Sequence, residues 1–194
     1  MQHFFEGIQG WFDFDDVYSH FVSAAKDGDV IVEVGAWLGR STAYLAVELF
    51  NSGKQAQLHV VDTWRGSLTE AWLVDFVNQN GGDIFPLFCA NMPPEVFSKL
   101  IVHRKDTLLA AQDFEDSSID FLFLDSAHTT EHVYAEIHAW LPKIKRGGTI
   151  AGHDYTTWGP VRLGVDQALT EIGLPITAIM RTSWLLIKPD ALPT

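Results

Sequence analysis

The chain has 194 residues and a formal charge of −12, from 25 Asp and Glu against 13 Lys and Arg. An apolar fraction of 47%, with Phe 13 and Trp 7, fits a globular protein with one sizeable core and excludes disordered and fibrous classes. The acidic field repels phosphate backbones and anionic lipids, no segment approaches the ~18 apolar residues of a membrane span, and a single cysteine cannot form an internal disulfide, so a cytoplasmic protein with no nucleic-acid or membrane partner is expected.

Asp13, Asp15 and Asp16 precede Val17, Phe21, Val22 and Ala25, an amphipathic helical spacing with acids at the positive end, stopped by "AKDGD". Five short runs rich in β-branched and aromatic residues then read as strands: Val30 to Val34, Gln57 to Val61, Lys99 to His103, Ile119 to Asp125 and Gly148 to Asp154. Helical patterns fall between them at Ser41 to Phe50 and Thr129 to Leu141, while Pro86, Pro93 and Pro94 predict broken helix or loop over "DIFPLFCANMPPEVFSKL". Pro160 suits the first turn of a further helix, and "PITAIM" and "WLLIKP" read as an antiparallel pair at the sheet edge.

Strands alternating with helices predict an α/β fold, a Rossmann-like, doubly wound, mostly parallel seven-stranded sheet with an antiparallel edge strand and helices on both faces. No linker divides the chain. One domain spans residues 1–194, with residues 1–28 as a helical extension and 29–188 as the core. The aromatic-rich start, "HFFEGIQGWFDF", must pack on the body or on a second copy of the chain, so a homodimer is one expectation.

Ligands of such sheets bind beyond the carboxyl ends of the strands, where the first strand turns into the first helix. Gly35 and Gly39 lie in that turn, and glycines there let backbone approach a ligand while the new helix offers free N–H groups. A dinucleotide fingerprint would need a glycine where Trp37 stands, which disfavours NAD. Asp62, after the second strand, stands where a ribose acceptor is expected, and Glu33 is placed to hold a cationic or hydrated group. One acid for a ribose, one near an ammonium and no room for a diphosphate describe S-adenosylmethionine; a tight turn without a ligand is the alternative.

The order "VEVGAWLGRST", "HVVDTW", "HRKDT", "FLFLDSAHTTEHV" and "GGTIAGHDY" resembles the class I S-adenosylmethionine-dependent methyltransferases, in particular the small-molecule O-methyltransferases that include macrocin O-methyltransferase, over roughly residues 30–187. The resemblance implies that Glu33, Gly35, Ala36 and Gly39 line the methionine half of the cofactor, that Asp62 binds the ribose, and that Asp106 and Thr107 lie beside the adenine. Trp64 would pack on the adenine ring or in the core.

Asp125 at the tip of a buried strand is costly to desolvate without a partner, and the next strand ends in His153 and Asp154. If the strands are neighbours, Asp125, His153 and Asp154 converge and suit a divalent metal, magnesium or manganese; the alternative is that the aspartates cap the loops that follow. In the resembling metal-dependent enzymes the last pair is acid-acid or acid-amide. Imidazole is a poor magnesium ligand, so His153 implies manganese, iron or zinc, or only hydrogen-bonds nearby. With Asp125 as its catalytic partner, His128 would take the proton of an acceptor hydroxyl, or else bind backbone near the cofactor. The combined expectation is methyl transfer to a hydroxyl of a small-molecule acceptor such as a sugar. A relative that keeps cofactor binding without catalysis and an NAD-dependent oxidoreductase are the competing readings.

Overall fold

The computed structural model describes residues 1–67 and 70–191. A seven-stranded sheet runs in the order β3-β2-β1-β4-β5-β7-β6. Its parallel strands are β1 (Val30–Val34), β2 (Gln57–Asp62), β3 (Leu100–Arg104), β4 (Ile119–Leu124) and β5 (Ile144–Gly152). β7 (Ser183–Ile187) pairs antiparallel with both β5 and β6 (Ala178–Met180), so the expected antiparallel pair is present with its second strand inserted inside its first.

The helices are α1 (Asp15–Ala24), α2 (Arg40–Ser52), α3 (Ala71–Gln79), α4 (Phe85–Asn91), α5 (Pro94–Phe97), α6 (Thr107–Ala110), α7 (Thr130–Trp140) and α8 (Gly159–Ile172). The proline-broken stretch resolves into α4 and α5, with Pro86 and Pro94 in their first turns, where the missing N–H removes no hydrogen bond. Thr129 caps α7 by accepting from His132 N, and Pro160 lies in the first turn of α8.

Both faces of the sheet are covered. Ile31, Leu58, Val60, Phe121 and Phe123 pack with residues of α1, α2 and α4, whereas Val32, Val34, Val61, Leu122 and Leu124 pack with α7 and α8. That two-sided burial explains why the parallel strands read as continuous apolar runs rather than alternating ones. The aromatic start folds onto the first of these layers: Ile8 and Phe14 are buried, and Phe4, Phe5 and Phe12 pack against the same cluster. Among the described residues no helix is long and apolar enough to cross a membrane.

One buried polar group binds this layer together. Glu33 is 1% exposed, and its two carboxylate oxygens accept from Tyr18 of α1 at 2.8 Å and from Thr42 of α2. Burial pushes its carboxyl up to about 7, against the opposing pull of the Thr42, Ser41 and Tyr18 hydroxyls.

The strand order reverses between β1 and β4, and there the backbones are at their closest. Val34 pairs with Leu124 and Leu124 with Gly152, so the next residues out, Gly35, Asp125 and His153, form a row. Gly35 has φ +89°, and a Cβ on it would lie 1.8 Å from the carbonyl oxygen of Asp125. The glycine is required by the chain crossing, with no ligand needed to explain it.

Two outcomes follow. Gly35→Ala destabilises by at least ~2 kcal/mol, lowering Tm by roughly 4–8 °C, because backbone must move and the φ is unsuited to a side chain; denaturant unfolding measures it. Folded Glu33 keeps its proton up to about 7 while an unfolded glutamate releases it near 4.5. Folding therefore binds a proton in that window, and stability falls as pH rises through it, by up to about 3 kcal/mol. Glu33→Gln removes that slope, seen as the wild-type minus variant unfolding free energy between pH 4 and 8.

Candidate active site and cation cluster

The turn after β1 is held by Asp62. Its Oδ2 accepts from the Ala36 and Trp37 backbone N–H groups at 2.8 and 2.9 Å, and its Oδ1 accepts from Trp64 N at 2.7 Å. Burial raises its carboxyl above the usual range despite those bonds. Glu33 pairs in register with Val60, two residues before Asp62, so the period of two puts both acids on the same sheet face. They differ in access. Asp62 keeps part of its surface open, whereas Glu33 is sealed under the turn with both oxygens engaged, which corrects the expectation that it meets a cationic ligand directly.

Packing decides the surroundings of two further residues. Trp64 takes the core role of its two expected ones: it is fully buried against Phe85 and Phe88 and donates its indole N–H to Trp37 O, so neither ring face is free for an adenine. A Cβ on Gly39 would strike Met92 and Phe88, so helix packing requires a glycine there. Ala36 is buried, and its N–H is already used by Asp62. Asp106 caps α6 by accepting from Leu108 and Leu109 N, and the buried Thr107 hydroxyl accepts from Trp140 Nε1, turning it inward.

Donors nevertheless remain for a ligand. Trp37 Nε1 is buried without an acceptor among the described residues, and no side chain caps the amino end of α2, whose N-cap is Gly39.

The second centre lies beside the Gly35 crossing. Asp125, His153 and Asp154 do converge, and His128 joins them. His153 Nδ1 is 3.4 Å from Asp125 Oδ1 and 3.3 Å from Asp154 Oδ2; His128 Nε2 is 3.5 Å and 3.4 Å from the same two oxygens. Donor atoms of Asp125, His128 and Asp154 lie within 4.8 Å of one another, a spacing suited to a metal ion. Each imidazole is anchored on its far side, His128 Nδ1 by Glu70 Oε1 and His153 Nε2 by Asp13 Oδ1, both at 2.7 Å.

Burial opposes charge on both rings, but Asp125 with Glu70 outweighs it at His128, raised to about 9, and Asp125 with Asp154 at His153, raised to about 11. The reverse pull holds Asp125, although buried, down at about 2. A neutral His128 base is thus not what these surroundings favour in the chain by itself.

Neither Glu70 nor Asp13 stands out in the sequence as a partner of these histidines. Glu70 is at the N-cap of α3, and Asp13 lies just before α1, where its acid reads as a helix-end charge. Three tryptophans are exposed: Trp11 and Trp72 meet edge to face at 4.8 Å, and Trp158 has its ring 5.9 Å from that of His128.

The chain is 28% identical over 153 residues to the uncharacterised protein y4gI of Sinorhizobium fredii; the match covers 78% of this chain and 16% of that protein, so the chain spans about a sixth of the relative's length. Among solved structures it is similar to the O-methyltransferase NovP, at 14% identity and a TM-score of 0.65, with 91% of this chain and 80% of that one covered. It is also similar to CalS11, a TDP-rhamnose 3'-O-methyltransferase of calicheamicin biosynthesis, at 14% identity and a TM-score of 0.57, covering 91% and 78%. At such identities the structures establish a shared fold. Residues 32–155, which run from β1 through the cation cluster, match the methyltransferase domain family, and the chain belongs to that family.

Proposed function

We propose that the chain transfers the methyl group of S-adenosylmethionine to a hydroxyl of a small polar acceptor, of which a sugar is the leading candidate, with assistance from a divalent cation. The observation that carries the reading is the adjacency of two centres at the carboxyl end of the sheet. The turn held by Asp62 and the cluster around Asp125 touch through Gly35. CalS11, a TDP-rhamnose 3'-O-methyltransferase of similar fold, acts on a sugar hydroxyl, in agreement with it.

S-adenosylmethionine, when bound, supplies a methyl group already activated by its sulfonium, and a divalent cation supplies a Lewis acid for the acceptor oxygen. The work of the chain is alignment. Asp62, partly exposed and with Oδ1 accepting from Trp64 N, has one acceptor site left there for a ribose hydroxyl, and the Trp37 indole N–H and the uncapped start of α2 suit acceptor atoms such as a carboxylate. Asp125, Asp154 and His153 form the donor set for the cation. Trp158, beside His128, gives the acceptor an apolar wall that excludes water, and Trp11 with Trp72 presents a second, suited to the C–H faces of a sugar ring. The acidic surface disfavours phosphate-rich acceptors, nucleic acid included.

Calorimetry with S-adenosylhomocysteine on the purified chain is expected to give saturable heat that Asp62→Ala removes; no heat with the intact chain overturns the reading. Methyl transfer from labelled cofactor to a panel of sugars and phenols should then fall ~100-fold or more in Asp125→Asn, a loss expected when the acceptor is misaligned.

A further inference from the structure

We infer that the cation is held by four side chains, His128 and His153 together with Asp125 and Asp154, that Glu70 and Asp13 are positioning residues for the two imidazoles, and that this set selects a nitrogen-accepting transition ion such as manganese, iron or zinc over magnesium. The inference rests on the metal-assisted reading above and gives it a ligand set and a metal class.

The contrast between the two sides of each ring carries the argument. The outer nitrogens, His128 Nδ1 and His153 Nε2, meet single carboxylate oxygens at 2.7 Å, the length of a charge-assisted hydrogen bond. The inner nitrogens each stand 3.3 to 3.5 Å from two oxygens at once. Among the described residues His128 Nε2 is buried and makes no hydrogen bond of good geometry, its two carboxylate contacts being long for one. Separations of that size are what neighbouring donors show around a shared cation with bonds of ~2.1–2.4 Å.

The outer bonds also decide where the lone pairs point. A ring that donates N–H to a carboxylate on one side presents its bare nitrogen on the other. With a cation in the cluster, Glu70 would hold His128 with Nδ1 protonated and Nε2 bare, and Asp13 would hold His153 the opposite way, with Nε2 protonated and Nδ1 bare. The two rings would then need opposite tautomers to aim at one cation between the same pair of oxygens, and each has the carboxylate its own tautomer requires. Asp13 is itself steadied by Thr182 Oγ1 at 3.0 Å, and its carbonyl accepts from Arg181.

Two carboxylates balance a divalent charge, and two imidazoles add donors that suit zinc, iron or manganese better than magnesium, which prefers oxygen ligands and retained water. His128 would then be a ligand and not the base, so the proton of the acceptor hydroxyl would pass to solvent water, its release eased by the cation.

Manganese, zinc and magnesium are titrated separately into the intact chain by calorimetry, and the manganese-loaded chain is examined by pulsed EPR. Manganese and zinc should bind at one equivalent and resist a roughly hundredfold excess of magnesium, with nitrogen couplings in the spectrum, one of which disappears in His128→Asn. Glu70→Gln and Asp13→Asn should each weaken manganese by about 10–100-fold while leaving the apo circular dichroism and melting unchanged. Magnesium binding as tightly as manganese, a spectrum without nitrogen coupling, or unchanged affinity in both positioning variants overturns the inference. Heat from S-adenosylhomocysteine without any from manganese or zinc sinks this inference alone; the converse sinks methyl transfer and leaves the cation site standing.

Discussion

The contact on which the molecule turns is the crossing of Gly35 over the carbonyl of Asp125. The strand order reverses there, and the register that pairs Val34 with Leu124 and Leu124 with Gly152 places one residue of each following loop in a single row. With no side chain at the first position, the turn gripped by Asp62 and the loop bearing Asp125 share one boundary. A methyl donor on one side and an acceptor on the other would then be held at a distance fixed by backbone rather than by mobile side chains.

Electrostatics reinforce that arrangement. The acids around the site do different jobs according to what faces them. Glu33, walled in with hydroxyls, holds its proton up to about 7 and braces α1, β1 and α2; Asp125, half-buried, stays ionised because two imidazoles face it. Asp62 is spent largely on backbone N–H groups and so shapes the turn before any ligand arrives.

Much of the fold is legible in the sequence because two-sided burial leaves a strong mark: Val30 to Val34 and Ile119 to Leu124 can hardly be anything but central strands. The alternation of strand and helix, and acids placed just beyond strand ends, likewise announce where a ligand belongs. What fails is whatever depends on which way a side chain turns. Trp64, for which the sequence leaves an adenine platform and a core role both open, is turned into the core at a left-handed φ of 53°. Thr107 is likewise drawn inward by Trp140, on a helix 33 residues away. Glu70 and Asp13 carry no local signature, since their partners lie 58 and 140 residues along the chain. His128 is visible as chemistry but not as a neighbour of both Asp125 and Asp154, because three residues of sequence do not say how a loop folds back.

The insertion of β7 between β5 and β6 reaches further than the sheet edge. It brings the Arg181–Thr182 turn against Asp13, closing a loop of 169 residues between hydroxyl and carboxylate. A contact so distant along the chain carries a closure entropy that local contacts do not. The acid–histidine corner is accordingly open to loss from the far end of the chain: fraying of the final hairpin would slacken the N-terminal strap and leave His153 without its anchor while the central strands stay paired.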